Sequence, residues 1–160
     1  KSPPPGEISE ITEVGVAIVD IKNWTVDRGQ SVYVKPVKSK VSAFCTELTG
    51  ITQDLLDTKG VDFQDACNNL RLQQSERLGW ASWGDYDRTQ FQKQCTATGI
   101  RYPFSKTHLN VKYLWALKRG LNQCSVMDAL KHDGMTFEGR WHSGRDDAYN
   151  IGQLLLGLLA

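Results

Sequence analysis

Trp141-His142-Ser143-Gly144-Arg145-Asp146-Asp147-Ala148 sets a histidine beside two acids where a helical pattern begins. Downstream of it Ile151, Leu154, Leu155, Leu158 and Leu159 recur at spacings of three and four, the stripe of an amphipathic helix packed on a core. A helix is therefore predicted over Asp146 to Leu159, with both acids in its first turn. Were His142 on the same continuous helix, it would stand roughly 140° round from Asp147, at about 100° per residue. Gly144 between them predicts a bend instead, turning imidazole and carboxylate toward one cleft. The same residues also read as two acids complementing a helix dipole beside a surface-loop histidine.

Working outward, a second acidic stretch, Ser82-Trp83-Gly84-Asp85-Tyr86-Asp87, closes an apolar, tryptophan-rich run. Leu78 to Trp83 predicts a short buried strand, and Tyr86 to Thr98 has helical spacing (Phe91, Cys95) that stops at Gly99. In open α/β sheets, ligands gather beyond the carboxyl ends of the parallel strands, where Asp87 falls. Asp85 reads equally as the cap of the following helix, with Asp87 in its first turn.

Earlier in the chain, Lys1 to Gly6 reads as a proline-rich loop. Glu7 to Asp20, with Ile11, Val14, Val16, Ile18 and Val19, reads as a strand. A turn at Asp27-Arg28-Gly29 and a second strand over Gln30 to Val34 complete a predicted hairpin, which Pro36 ends. Val41 to Leu48 and Asp62 to Leu70 look helical, joined by Thr49-Gly50-Ile51-Thr52. His108 to Val111 is a weaker strand, followed by helices over Val111 to Leu117 and Val126 to Leu130. A hairpin followed by alternating strands and helices predicts an α/β fold with a mixed sheet flanked by helices.

The 160 residues suffice for one domain, read as residues 1–160, with a sizeable core. Lysine and arginine number 19 against 18 acids, so there is no global basic field to attract nucleic acid, and any such partner must be held locally. Thr96 to Met127 holds Arg101, Lys106, Lys112, Lys118 and Arg119 with no acid, interleaved with Tyr102, Phe104, Tyr113 and Trp115. This suits phosphates and stacked bases, and equally a solvated helix face above a core. Cys45, Cys67, Cys95 and Cys124 form no C-x-x-C pair, which disfavours a zinc site and suits a reducing compartment. No apolar run approaches about 18 residues and no signal-peptide pattern is present, so a soluble, cytoplasmic protein with no membrane partner is expected.

Three stretches in order, Phe44-Cys45-Thr46-Glu47-Leu48-Thr49-Gly50-Ile51-Thr52, Trp83-Gly84-Asp85-Tyr86-Asp87 and His142-Ser143-Gly144-Arg145-Asp146-Asp147, resemble the DEDDh group of DnaQ-like 3′→5′ exonucleases. The nearest likeness is to the Eri and KapD-like exoribonuclease branch, and it covers nearly the whole chain. The resemblance implies an RNase H-like fold and catalysis with two divalent ions, Mg²⁺ or Mn²⁺. It implies Asp87 and Asp147 as metal ligands, His142 as general base, and Phe44 to Thr52 as the loop gripping the terminal nucleotide. Within that loop Phe44, Leu48, Thr49, Gly50 and Ile51 are candidate substrate contacts, Leu48 a wedge against the base and Cys45 a wall residue. Its partner would be the 3′ end of a single-stranded nucleic acid, RNA favoured over DNA. Hard divalent ions take carboxylate oxygens, and a pair of them clamps the attacking and leaving oxygens of a phosphodiester. An imidazole ordinarily titrates near neutrality, which suits it to take a proton from water.

The chain departs from the family at its first motif, Asp-x-Glu-x-Thr on the opening strand, which is expected upstream of Lys1. Aligning Ile8-Ser9-Glu10-Ile11-Thr12 with it would put isoleucine at the aspartate. Gly6 to Ile11 matches the family's next strand, so neither Glu7 nor Glu10 is assigned as a ligand. In the family the opening strand is central, between the strands of Ile11 to Val19 and Leu78 to Trp83. Without it those strands face each other with unpaired backbone groups, each costing about 1–3 kcal/mol if buried. The departure keeps a second reading open, a catalytically incomplete nucleic-acid-binding module of the same fold. A third, an unrelated α/β interaction domain, requires all three motif matches to be accidental.

Overall fold

The computed structural model describes residues 8–160. The predicted loop over Lys1 to Gly6, and the Glu7 start of the first strand, lie outside the described residues. Two short sheets carry the fold. In the first, β1 (Glu13–Asp20) pairs antiparallel with β2 (Thr25–Tyr33). Val34 extends β2 by one parallel bridge to Val61. In the second, β3 (Trp80–Ser82) lies parallel to β4 (His108–Asn110), in a register that sets Trp80 opposite His108 and Ser82 opposite Asn110. β1 and β3 do not pair with each other.

The hairpin differs from its prediction. Strand β1 starts at Glu13, and the chain turns at 21–24, with Trp24 at φ +59°, rather than at Asp27-Arg28-Gly29. Those three residues lie within β2, at a bulge: Gly15 faces Ser31 while Ala17 faces Arg28, so β2 carries one extra residue. A Cβ on Gly29 would stand 2.1 Å from the Val16 carbonyl oxygen, and glycine permits that approach. Because side chains alternate faces along a strand, the extra residue resets the alternation. Arg28 and Ser31, three apart, consequently both meet the final helix, through Asp146 and the Arg145 N–H.

Seven helices complete the described chain. They are α1 (Ala43–Thr49), α2 (Gln53–Lys59), α3 (Phe63–Leu72), α4 (Tyr86–Thr98), α5 (Val111–Arg119), α6 (Val126–His132) and α7 (Gly144–Leu159). The segment Thr49 to Thr52 thus leads into a helix, α2, that its polar composition conceals. Its start is set by Thr52, whose hydroxyl accepts from the Leu55 N–H, and Leu56 alone is buried. Gly50, Gly99 and Gly120 end α1, α4 and α5 in the left-handed conformation.

The β1–β2 hairpin lies between two apolar clusters. On one face Val14 and Val34 pack with Phe63, Ala66, Cys67 and Leu70 of α3 and Phe91 and Cys95 of α4. The other face receives α7, whose Leu154, Leu155 and Leu158 join Trp115 of α5 and Leu130 of α6. The approach of α7 is close enough to demand glycines. A Cβ on Gly15 would lie 1.8 Å from the Gly144 carbonyl carbon, and one on Gly152 2.8 Å from Val26 Cγ1. The basic, aromatic stretch divides. Trp115 is core, Phe104 stacks on Trp80 at 4.1 Å, Arg101 pairs with Glu76 and Arg119 with Asp133. Among the described residues no helix is long and apolar enough to cross a membrane.

Candidate active site

The entry to α7 is built around a left-handed histidine. His142 has φ +65°, a conformation that side chains disfavour, so the bend lies there and not at Gly144. Gly144 is the first residue of α7, and its role is proximity. Its N–H donates to Glu13 Oε1 (3.1 Å), and a Cβ there would lie 3.0 Å from the Gly15 nitrogen and 3.2 Å from Glu13 Cδ.

The two neighbouring aspartates go separate ways. Asp146 is buried and structural: it accepts from Arg28 Nη1 (3.0 Å) and from the Arg140 N–H (2.9 Å). Asp147 instead lines an open cleft of about 390 Å³ together with Asp87, His142, Glu13, Thr49 and Ile51. Its Oδ1 is buried with no hydrogen-bond partner, one of two such side-chain atoms among the described residues, the other being Trp80 Nε1. Burial lifts the Asp147 carboxyl to about 6; the His142 backbone N–H opposes this, while the charges of Glu13, Asp146 and Asp87 add to it. Burial also raises Asp87, whose own backbone N–H is the one opposing influence.

Asp87 reaches the cleft because the β3–α4 turn is pinned from behind. Ser82 Oγ donates to the Gly84 carbonyl (2.8 Å) and lies 2.8 Å from His108 Nε2 on β4. Gly84 takes φ +97°. Asp85 occupies the N-cap position of α4 without a side-chain capping bond. It accepts instead from Arg88 (2.9 Å) and Asn110 Nδ2 (3.0 Å), fixing the turn to β4 and leaving the cleft to Asp87. The buried His108 imidazole has its pKa lowered by desolvation and by Arg88, against the pull of Asp85.

Of the residues singled out in sequence, Asp87, Asp147, His142, Thr49 and Ile51 share the cleft, and Gly50 lines a smaller cavity of about 110 Å³ beside it. Phe44 and Leu48 are 50% and 43% exposed on α1 and belong to the lining of neither. Cys45 is exposed, and Cys67 is pushed up to about 12 by burial against Cys95, which suits an inert core thiol. Two wall components went unread in the sequence. Glu13 sits on the strand face opposite Val14, where Gly15 and Ala17 follow; that run of small residues was the available sign of a closely packed helix. The segment 9–12 is tied to α4 by Gln90 Nε2, donating to the Ser9 carbonyl (2.8 Å), and by Gln94 Oε1, accepting from the Ile11 N–H (2.8 Å).

The arrangement fits a cation. An unpartnered buried oxygen of Asp147, sharing the cleft with the Asp87 carboxylate, leaves negative charge that a hard divalent ion would neutralise. Two carboxylates make only part of such a site, and among the described residues no group of three or more His, Cys, Asp or Glu side chains is placed to hold a metal.

Residues 3–155 match the family described as Exonuclease, RNase_T. The chain is 32% identical to the 3′-5′ exonuclease Snipper of Drosophila melanogaster, over 97% of its own length and 63% of that protein. It is 30% identical to the 3′-5′ exoribonuclease 1 of Rattus norvegicus, over 95% of its length and 47% of that protein. The chain thus spans roughly half to two thirds of these relatives. The crystal structure of the nuclease domain of 3′hExo, a DEDDh family member bound to rAMP, superposes with a TM-score of 0.85. The identity is 26%, over 98% of this chain and 84% of that one. A structure showing 3′-end-specific recognition of histone mRNA stem-loop by 3′-exonuclease gives a TM-score of 0.84 at 25% identity, over 98% and 74%. On the family match over residues 3–155 and these likenesses, the chain belongs to the RNase_T exonuclease family, in its DEDDh group, and has the RNase H-like fold.

Proposed function

We propose that the cleft is a 3′→5′ exonuclease centre that removes mononucleotides from the 3′ end of single-stranded RNA, in preference to DNA. The observation that carries it is the buried, partnerless Oδ1 of Asp147, in one cleft with Asp87 and His142. The RNA preference is supported by the exoribonuclease relatives and by the neighbour solved with rAMP. Asp87 and Asp147 would hold the ions, and two bound Mg²⁺ or Mn²⁺ would supply charge neutralisation for in-line displacement at phosphorus. His142 takes the proton from the attacking water. Thr49, Gly50 and Ile51 wall the terminal nucleotide, and Phe44 and Leu48 on α1 meet its base when a strand is bound. The remaining carboxylates of the ion site belong, in this reading, to a strand lying between β1 and β3.

The full-length protein, given Mn²⁺ and a 5′-labelled RNA carrying a 3′ hydroxyl, is expected to shorten it one nucleotide at a time. Removing a positioned acid–base group typically costs 10²–10⁴-fold, so His142→Ala is expected to lose shortening by about that factor while still binding RNA. That only two carboxylates, Asp87 and Asp147, are assigned to the ions among the described residues favours one other reading, a module that binds RNA and does not cut it. Binding without any shortening at millimolar Mn²⁺ would establish that reading instead.

A further inference from the structure

The loop 138–143 that precedes α7 is fastened from below. The Arg140 N–H donates to Asp146 Oδ2 (2.9 Å), and the Arg140 carbonyl accepts from the Ser143 N–H (3.1 Å). Asn150 grips the loop's other end, accepting from the Glu138 N–H (3.0 Å) and donating to its carbonyl (2.8 Å). From this anchored backbone the Arg140 side chain crosses to the opposite wall. Its guanidinium rests on Gly50, where a Cβ would stand 2.1 Å from Nη2 and 2.8 Å from Cζ and Nη1. Position 50, at φ +75°, has no side chain to stand between the walls.

A guanidinium carried on so well anchored a backbone would ordinarily find an acid. Among the described residues Arg28, Arg71, Arg88, Arg101, Arg119 and Arg145 each reach a carboxylate within 4 Å, whereas Arg77 and Arg140 do not, and of these two only Arg140 lines a cavity beside the cleft. Glu13 lines the same small cavity, but its Oε1 is occupied by Ser31 Oγ (2.6 Å) and the Gly144 N–H. The cation therefore stands free at the edge of a carboxylate-walled cleft, where a polyanionic strand needs a compensating charge. Its planar fork matches the oxygens of a phosphodiester. The small cavity shares Glu13, Thr49 and Ile51 with the cleft and includes none of Asp87, His142 and Asp147.

We propose that Arg140 is a phosphate-binding residue that takes an internucleotide phosphodiester next to the one where cleavage occurs, across the Thr49–Ile51 wall. This rests on the exonuclease reading of the cleft. It is tested by fluorescence anisotropy of the full-length protein with a labelled single-stranded RNA oligonucleotide, metal-free in chelator so that nothing is cut, over a series of salt concentrations. A single-strand phosphate contact contributes about 0.7 to the slope of log affinity against log salt, so Arg140→Ala is expected to lower the slope by about that amount. Losing one charge-assisted hydrogen bond should also weaken low-salt binding about tenfold or more. Arg140→Lys keeps the charge and loses the fork, so it should keep the slope and lose part of the affinity. An unchanged slope and affinity in Arg140→Ala would show that the side chain only covers Gly50 and would overturn the assignment. If the wild type shortens RNA while the slopes coincide, this assignment alone falls; if the wild type neither binds nor shortens RNA, the exonuclease reading falls and takes it along.

Discussion

The Asp147 carboxyl, lifted to about 6 by burial and by the neighbouring charges of Glu13, Asp146 and Asp87, makes the metal-free protein pH-sensitive in a defined direction. Folding raises this pKa above its ordinary 3.8, so the folded chain holds the proton to higher pH than the unfolded one. Between about pH 4 and 6 the metal-free protein is therefore expected to lose stability as pH rises, on the order of 2–3 kcal/mol at 1.36 kcal/mol per pKa unit. Asp147→Asn removes the titration, so in chelator it should melt higher than wild type at pH 8 and close to it at pH 4. Substitution at Asp146 has the opposite effect. Replacing it with alanine leaves the Arg140 N–H without its acceptor and Arg28 with only its longer pair to Glu138 (3.5 Å), and is expected to cost about 1–3 kcal/mol by thermal or denaturant unfolding. Adjacent in sequence, the two acids could not be told apart there, because which one faces the cleft depends on the helix starting at Gly144 and on the partner from β2. His142 is similar: the sequence put the bend at the glycine, whereas packing of Gly144 against Gly15 displaces it onto the histidine.

Elements with strong end signals were legible. Helix α4 spans Tyr86–Thr98 as predicted, since Gly99 supplies the left-handed stop, and α5 ends at Gly120 for the same reason. What was hidden depended on long-range contact. A bulge looks like a turn in sequence, because Asp-Arg-Gly suits both, and only the approach of Val16 to Gly29 separates them. The short, polar α2 buries a single leucine, too little to mark a period. Two substitutions test these joints. Gly15→Ala puts a methyl group into the α7 backbone and is expected to cost at least the upper end of the usual 1–3 kcal/mol overpacking penalty, read as a lowered melting temperature. Ser82→Ala leaves the Gly84 carbonyl and His108 Nε2 without their shared partner, and is expected to cost about 1–3 kcal/mol. Because that turn carries Asp87, Mn²⁺ affinity measured by calorimetry should fall as well.

At the scale of the molecule, two small sheets and seven helices bring segments separated by more than fifty residues to one hollow, with α7 and the β3–α4 turn each delivering one carboxylate. The motif order in sequence was enough to name the family, and each motif brings at least one residue to the lining of the two cavities, Thr49 and Ile51 from the first, Asp87 from the second, His142 and Asp147 from the third. The placing of Glu13 and Arg140 beside the cleft was not legible there, since neither lies in a motif and both depend on how α7 meets the hairpin. Ions that bind only the folded protein should stabilise it by mass action, and Asp147→Asn should blunt the effect. The most direct measurement is the anomalous difference density of full-length crystals soaked with Mn²⁺ and a nucleoside 5′-monophosphate. Two peaks about 3.5–4 Å apart, within bonding distance of the Asp87 and Asp147 carboxylates, are predicted. Manganese absent from both carboxylates at saturating concentration would contradict the metal-dependent exonuclease centre.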